Sequence, residues 1–210
     1  RPAPPPTEPM AGPLPPMASA SIPRATYRLQ LTPAFGFAAA RAQVPRLQRL
    51  GIGHLYLSPV LRARSGSPHG YDIVDHDAVN PELGSLDDFI ALCQAAHAAG
   101  LQVLLDIVPN HMGVLAADNA WWLDVLEHGT SSRYAHWFDI DWNSADRGLH
   151  GKVLMPVLGD AYGTVLEAGD LQLRFDAERG SFALHYHEHR FPLDPRDTAR
   201  VLAPLAASLL

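Results

Sequence analysis

From Arg24 onward, hydrophobic and polar residues alternate with periods that mark out strands and helices in turn. Tyr27, Leu29 and Leu31 interleave with Thr26, Arg28 and Gln30, the two-residue period of a strand. From about Ala38 to Leu50 the period lengthens, and Val44, Leu47 and Leu50 fall on one helical stripe. Pro45 inside that stretch predicts a kink or a restart, because it lacks the N–H a helix needs there. Gly51 is placed to stop the helix. Ile52 to Leu57 is a short apolar run suited to a buried parallel strand. A long loop is expected from Ser58 to Gly84. Ser85 and Asp88 then form a capping-box pattern, with Asp where Glu or Gln is usual. The helix behind it carries Phe89, Leu92, Cys93 and Ala96 on its stripe and ends at Gly100. Leu101 to Val108 reads as another buried strand.

Strand, helix, strand, helix, strand, with glycines at the helix ends, predicts parallel β/α units. An open doubly wound sheet and a closed eight-stranded barrel both begin this way. The first turn, Thr32-Pro33-Ala34-Phe35-Gly36, offers no glycine-rich phosphate cradle. Long segments after the second and third strands favour the barrel, whose enzymes keep their sites there. Beyond Pro109 the rhythm stops. Asn119 to His128 reads as a short helix before Gly129, and Leu171, Leu173, Phe175 and Phe182, Leu184, Tyr186 read as a β-hairpin about a turn at residues 177–180. The fold class expected is α/β: the N-terminal part of a (β/α)8 barrel, its first three strands, with a subdomain inserted after strand three. A complete barrel takes about 250 residues, so this one is expected to be incomplete. The expected organisation is a leader over 1–23, barrel units over 24–112, and the inserted subdomain over 113–210, truncated at its C-terminal end. Ala199 to Leu210 reads as an apolar helix without its partner.

Composition narrows the classes. Of 210 residues 47% are hydrophobic, enough for a core, while 18% are charged and the net charge is −6. A nucleic-acid partner calls for a basic patch, so none is expected; an uncharged polar ligand suits this balance better. No apolar run approaches the roughly 18 residues of a membrane span, and no membrane partner is expected. The N-terminus lacks the apolar stretch of a secretory signal. The single cysteine, Cys93, allows no intrachain disulfide and suits a reducing compartment, hence a cytoplasmic setting. Residues 1–23 hold nine of the 19 prolines and few large apolar side chains, the composition of a disordered leader. The sequence begins at Arg1, with Met10 and Met17 as further candidate starts.

Two segments carry chemistry. Leu105-Asp106-Ile107-Val108-Pro109-Asn110-His111-Met112-Gly113 sets a carboxylate near the end of a strand, followed by Asn-His where the chain turns out. In a barrel this is the mouth, where substrate lies. The structural alternative has Asp106 pairing inside the barrel and His111 capping a turn. Ser67-Pro68-His69-Gly70-Tyr71-Asp72-Ile73-Val74-Asp75 follows the second strand and sets an aromatic ring beside an imidazole and a carboxylate. The alternative there is a turn made by Gly70 with Tyr71 packed beneath it. Asp72, Asp75 and Asp77 lack the spacing and glycine of a calcium hand, so no metal site and no cofactor are expected.

The first segment resembles the Asp-x-x-x-Asn-His region of the α-amylase superfamily, and the second its Gly-Tyr loop. The resemblance implies that His111 bonds a sugar hydroxyl, that Asp106 holds the site from below, and that Tyr71 stacks on a glucose ring with His69 and Asp72 as polar partners. It makes Asn110 a structural candidate, since the matching residue is a calcium ligand in many α-amylases. Longer stretches narrow the likeness. Ile22 to Leu31, Leu50 to Gly84, Asp118 to Trp122, Trp137 to Trp142, Gly151 to Gly159 and His189 to Leu193 resemble maltooligosyltrehalose synthases, over about Ile22 to Pro195.

That resemblance implies a maltooligosaccharide or α-1,4-glucan substrate. Its reducing-end α-1,4 linkage would become an α,α-1,1 linkage through a covalent intermediate on one of two carboxylates about 5 Å apart. Water must be excluded meanwhile, and residues 109–205 are expected to act as a lid. No Gly-x-Arg-x-Asp segment follows Pro109. Both reacting carboxylates are therefore expected beyond Leu210, and the chain alone is expected to be inactive. A hydrolase or isomerase of the same superfamily, a non-catalytic glucan binder and an unrelated doubly wound enzyme stay open as alternatives. His185, His187 and His189 alternate as though on one strand face, a pattern of metal ligands or of a strand edge. Trp121, Trp122, Trp137 and Trp142 suit either sugar platforms or a small core.

Overall fold

The structure, a computed structural model, describes residues 22–115 and 118–208, with side chains as far as residue 204. Most of the leader expected over 1–23 lies outside these residues. Strand β1 (Thr26–Leu29) leads into helix α1 (Phe37–Arg49), strand β2 (His54–Leu57), the hairpin strands β3 (Leu61–Ala63) and β4 (Ile73–Val79), helix α2 (Leu86–Ala98) and strand β5 (Gln102–Leu105). Helices α3 (Ala120–His128) and α4 (Tyr162–Glu167) follow, then strands β6 (Gln172–Asp176), β7 (Ser181–Tyr186) and β8 (His189–Pro192), and helix α5 (Thr198–Ser208).

The first sheet runs β1-β2-β5, all parallel, as the βαβαβ reading requires. Its register sorts side chains onto two faces, because partners across a parallel ladder point the same way. Leu29, Leu55 and Leu57 face the helices and are buried with Phe37, Ala40, Val44 and Leu47 of α1 and Leu92 and Ala96 of α2. Arg28 and Tyr56 pair in register on the opposite face, with Leu104 beside Tyr56. That face leads to the site.

Four local readings are corrected. The α1 stripe is Phe37, Ala40, Val44 and Leu47, whereas Leu50 caps the helix end and is 60% exposed. Pro45 neither breaks nor restarts α1, which runs through it from Phe37 to Arg49 with Pro45 on the exposed side. The run from Leu101 to Val108 is not buried throughout. Leu101 and Val108 are, but Leu104 and Leu105 are about two fifths open, since among the described residues β5 pairs with β2 on one side only. The segment 58–84 is also more than a loop: β3 and β4 pair antiparallel within it and bury Ile73 and Val74.

Two contacts fix the loops around this sheet. The Phe37 N–H donates to the Leu83 carbonyl at 2.8 Å, tying the start of α1 to the end of the β4–α2 connection. Gly36 sits so close that a Cβ there would lie 2.2 Å from the same oxygen. The capping box of α2 is complete, with the Ser85 hydroxyl accepting from the Asp88 N–H and the Asp88 carboxylate accepting from the Ser85 N–H.

The second sheet is antiparallel, β6-β7-β8, so the expected hairpin gains a third strand. Tyr186 pairs with His189, leaving His187 and Glu188 as the turn between β7 and β8, with His187 at φ 49°. His185 pairs with Arg190 and so lies on the face opposite to Tyr186 and His189. The three histidines therefore share no face, and the alternating-ligand pattern dissolves. Helix α3 packs against β8. Among the described residues no helix is long and apolar enough to cross a membrane.

Candidate functional site

The strand ends bring three loops together on the face opposite the helices. Asp106 directly follows β5 and is held there by its own N–H, which donates to the Leu57 carbonyl at 2.9 Å. Arg28 reaches it from β1, with Nη1 2.9 Å from Asp106 Oδ2. Tyr71 reaches the same oxygen from the β3–β4 loop, its hydroxyl donating at 2.6 Å. Arg28 closes the triangle by donating from Nη2 to the Tyr71 hydroxyl at 3.0 Å, and its guanidinium lies 4.6 Å above the Tyr56 ring. A cation over an aromatic face is attracted by the ring's negative π-surface.

The electrostatics follow from these contacts. The Asp106 carboxyl is held below the usual carboxylate range, by the Tyr71 hydroxyl first and by Arg28 and Tyr56 after it. The Tyr71 phenol is pushed up, chiefly because it donates to a carboxylate. The Arg28 guanidinium is likewise raised, with Asp106 the main cause. All three groups thus keep their ordinary charges more firmly: a carboxylate, a neutral phenol and a cation.

The loop holding Tyr71 is braced from inside. Gly70 adopts φ 77°, a left-handed conformation that glycine takes without steric cost, and its N–H donates to the Ser67 hydroxyl at 3.0 Å. The Ser67 hydroxyl donates to Asp72, and the Tyr71 N–H donates to His69 Nδ1 at 3.0 Å. His69 also lies 3.9 Å from Asp72. His111 joins from the other segment, with Nε2 3.1 Å from the Tyr71 carbonyl oxygen. Two residues on, the Gly113 N–H donates to the Ile73 carbonyl at 2.7 Å, so the two motif-bearing loops are laced together.

Asn110 and His111 open onto a cleft of about 740 Å³ whose other walls include His76, Trp121, Trp137 and Phe138. The six site residues read from sequence thus divide. Tyr71 and Asp106 meet directly, and His69 and Asp72 brace the Tyr71 loop. His111 links this cluster to the cleft, and Asn110 lines the cleft alone of the six apart from His111. Asn110 shares its cleft with Asp77 and Asp139.

Arg28 was missed by sequence reasoning. Its signal was present in the alternation of β1, which sets Arg28 on the face opposite Leu29, but nothing local marks a long-range carboxylate partner. The tryptophans split as well. Trp121, Trp122 and Trp137 all line the cleft, Trp122 from a buried position where it meets Phe138 edge-on at 5.0 Å between ring centres, while Trp142 is not among its walls.

Comparison with known proteins places this arrangement among relatives. Residues 41–193 match the family model described as alpha amylase, catalytic domain. A Mycobacterium tuberculosis protein named as a maltooligosyl trehalose synthase is 44% identical over 162 residues, which is 70% of this chain and 21% of that one. The solved maltooligosyltrehalose synthase of Arthrobacter ramosus superposes with a TM-score of 0.70 at 44% identity, over 82% of this chain and 21% of its own. A hypothetical maltooligosyl trehalose synthase of Sulfolobus tokodaii gives a TM-score of 0.71 at 35% identity, over 90% of this chain and 24% of its own. The chain spans about a fifth of the length of the relatives it matches.

Proposed function

The chain belongs to the α-amylase family, whose catalytic-domain model matches most of it, and from that premise we propose that it serves an intramolecular transglucosylase of the maltooligosyltrehalose synthase type. The substrate is a maltooligosaccharide or α-1,4-glucan, and the reaction turns its reducing-end α-1,4 linkage into an α,α-1,1 linkage. The observation that carries this reading is the reach of the likeness. Identity of 44% to the Arthrobacter ramosus enzyme extends over 82% of the chain, well past the Asp-x-x-x-Asn-His segment that the wider family shares.

In this reading β1, β2 and β5 are the first three strands of an eight-stranded barrel. Residues 24–112 are barrel units and 113–210 an inserted subdomain. The division is supported by the parallel β1-β2-β5 sheet and the antiparallel β6-β7-β8 sheet, which share no strand. The two reacting carboxylates lie outside this chain, and its own residues hold substrate and keep water away. Asp106, clamped between Arg28 and Tyr71, forms the floor. Tyr71 offers its ring to the apolar face of a glucose unit. His111 turns its second ring nitrogen toward a sugar hydroxyl, while His69 and Asp72 add polar contacts at the loop. Asn110 keeps a structural part. Electrostatic groups fixed beforehand need no reorganisation when charge develops, and the Arg28–Asp106–Tyr71 triangle is of that kind. Its setting is the cytoplasm, in keeping with the lone thiol of Cys93, which burial pushes up and leaves less reactive.

The deciding experiment incubates the whole protein carrying this chain with maltopentaose and follows reducing ends and free glucose together. Reducing ends fall with little glucose released if the linkage is turned inward. A rise in reducing ends makes the protein a hydrolase of the same family and ends the synthase reading. The 210-residue chain alone is expected to give neither change.

A further inference from the structure

Trp121, Tyr134 and Trp137 form an aromatic assembly that the strand-end cluster does not use. Trp121 stacks nearly parallel to Tyr134, with ring centres 5.3 Å apart and an interplanar angle of 9°, and lies 6.3 Å from His76 at 21°. Trp137 stands across this stack, at 73° to Trp121 and 81° to Tyr134. These contacts fix its orientation, yet 65% of Trp137 is open to solvent, against 6% for Trp122, which lines the same cleft from a buried position. A ring as covered as Trp122 has little surface left to offer. One that is pinned along an edge and left open is prepared to cover something else.

We infer that Trp137 is a stacking platform for a glucose ring beyond the unit that reacts, so that the cleft it walls extends glucan binding away from the strand ends. The inference rests on the α-glucan reading and gives that reading a second point of hold. Three observations carry it. The cleft, about 740 Å³, falls in the size range of built ligand sites. Its rim mixes apolar rings with Asp77, Asp139, Asn110 and His111, the alternation of C–H surface and hydroxyl partners that a sugar presents. His111 lies in both the cleft and the cluster, through its contact with the Tyr71 carbonyl, so a chain held at Tyr71 continues past His111 toward Trp137. The class of ligand is thereby a linear oligosaccharide long enough to bridge the two, rather than a single sugar.

The test measures binding of maltotriose and maltoheptaose to the whole protein and its Trp137→Ala and Trp137→Phe variants by titration calorimetry. Trp137→Ala is expected to weaken maltoheptaose about tenfold, the loss of one stacked ring, and maltotriose less than twofold. Trp137→Phe keeps a ring and most of the affinity. Because the side chain is open to solvent, thermal midpoints stay close to that of the parent, which separates lost binding from lost folding. Equal losses for both sugars, or no loss for either, overturn the platform. If the parent binds both sugars and Trp137→Ala changes nothing, only the platform fails. If the parent binds neither, the glucan reading falls and the platform with it.

Discussion

Arg28 and Asp106 stand 78 residues apart in the chain and meet at 2.9 Å, joined through one carboxylate oxygen that Tyr71 also engages. A strand, a strand end and a loop are thereby locked by three side chains, and the lock predicts its own titration. The folded state holds the Asp106 carboxyl below its ordinary value, with Tyr71 the first cause. A carboxyl depressed by folding lends stability above its unfolded pKa, and that stability is lost as pH falls through the folded one. Tyr71→Phe and Arg28→Met should each raise the Asp106 pKa in a carbon-detected NMR titration and start acid unfolding at a higher pH. A carboxyl that titrates unchanged in both variants removes the lock. In the whole protein, Arg28→Met is expected to lower kcat roughly tenfold to a hundredfold by letting the floor shift.

Gly36 is predicted to tolerate no side chain. An alanine Cβ would sit 2.2 Å from the Leu83 carbonyl oxygen, which is backbone and accepts the Phe37 N–H. Relief requires moving the start of α1 or the end of the β4–α2 connection, at a cost of about 3 kcal/mol. Urea denaturation of Gly36→Ala reads this directly, and a loss below roughly 1 kcal/mol would mean the two segments can part freely.

The reciprocal cap on α2 offers a gentler case. Ser85→Ala removes the acceptor of the Asp88 N–H and is expected to cost about 1 kcal/mol in chemical denaturation. Ser85 also holds the Asp88 carboxyl below its usual range, so the cap contributes above the ordinary carboxylate pKa and fades as pH falls. The difference between parent and Ser85→Ala should therefore shrink on acidification. A difference independent of pH contradicts the charged cap.

Asn119 bridges two segments from a buried position. Its amide donates to the Gly113 carbonyl at 2.9 Å, and its oxygen accepts from the Trp122 N–H at 3.0 Å. Asn119→Ala leaves both partners short and loses the α3 cap, for about 2 kcal/mol. Asn119→Ser keeps a capping oxygen and loses the donor to Gly113, so its loss should be smaller. The reverse order would show that the tether to Gly113 matters more than the helix start.

What the sequence made legible follows the range of the forces involved. Periodicity and caps act over a few residues, so β1, α1, β2, α2, the stop at Gly100 and the α3 start at Asn119 could all be read. The β3–β4 pair could not, because its seven-residue strand carries Asp75, His76 and Asp77 and hides its alternation. Tyr71 and Asp106 were legible as motif residues, but their contact was not, and Arg28 was invisible because its partner lies two β/α units away. The histidine pattern failed for a related reason. Alternation over 185–189 presumes one strand, and a turn at His187 reverses the chain inside the pattern.

Strand β5 pairs with β2 along one side, while Leu104, Leu105 and Ile107 are 39%, 42% and 64% exposed. Such a margin offers both unpaired backbone groups and apolar side chains, which is what an incoming strand requires. In the barrel proposed above, this margin is the seam at which the fourth strand pairs, so a charged residue in place of Ile107 would tell on closure of the barrel before it told on any ligand.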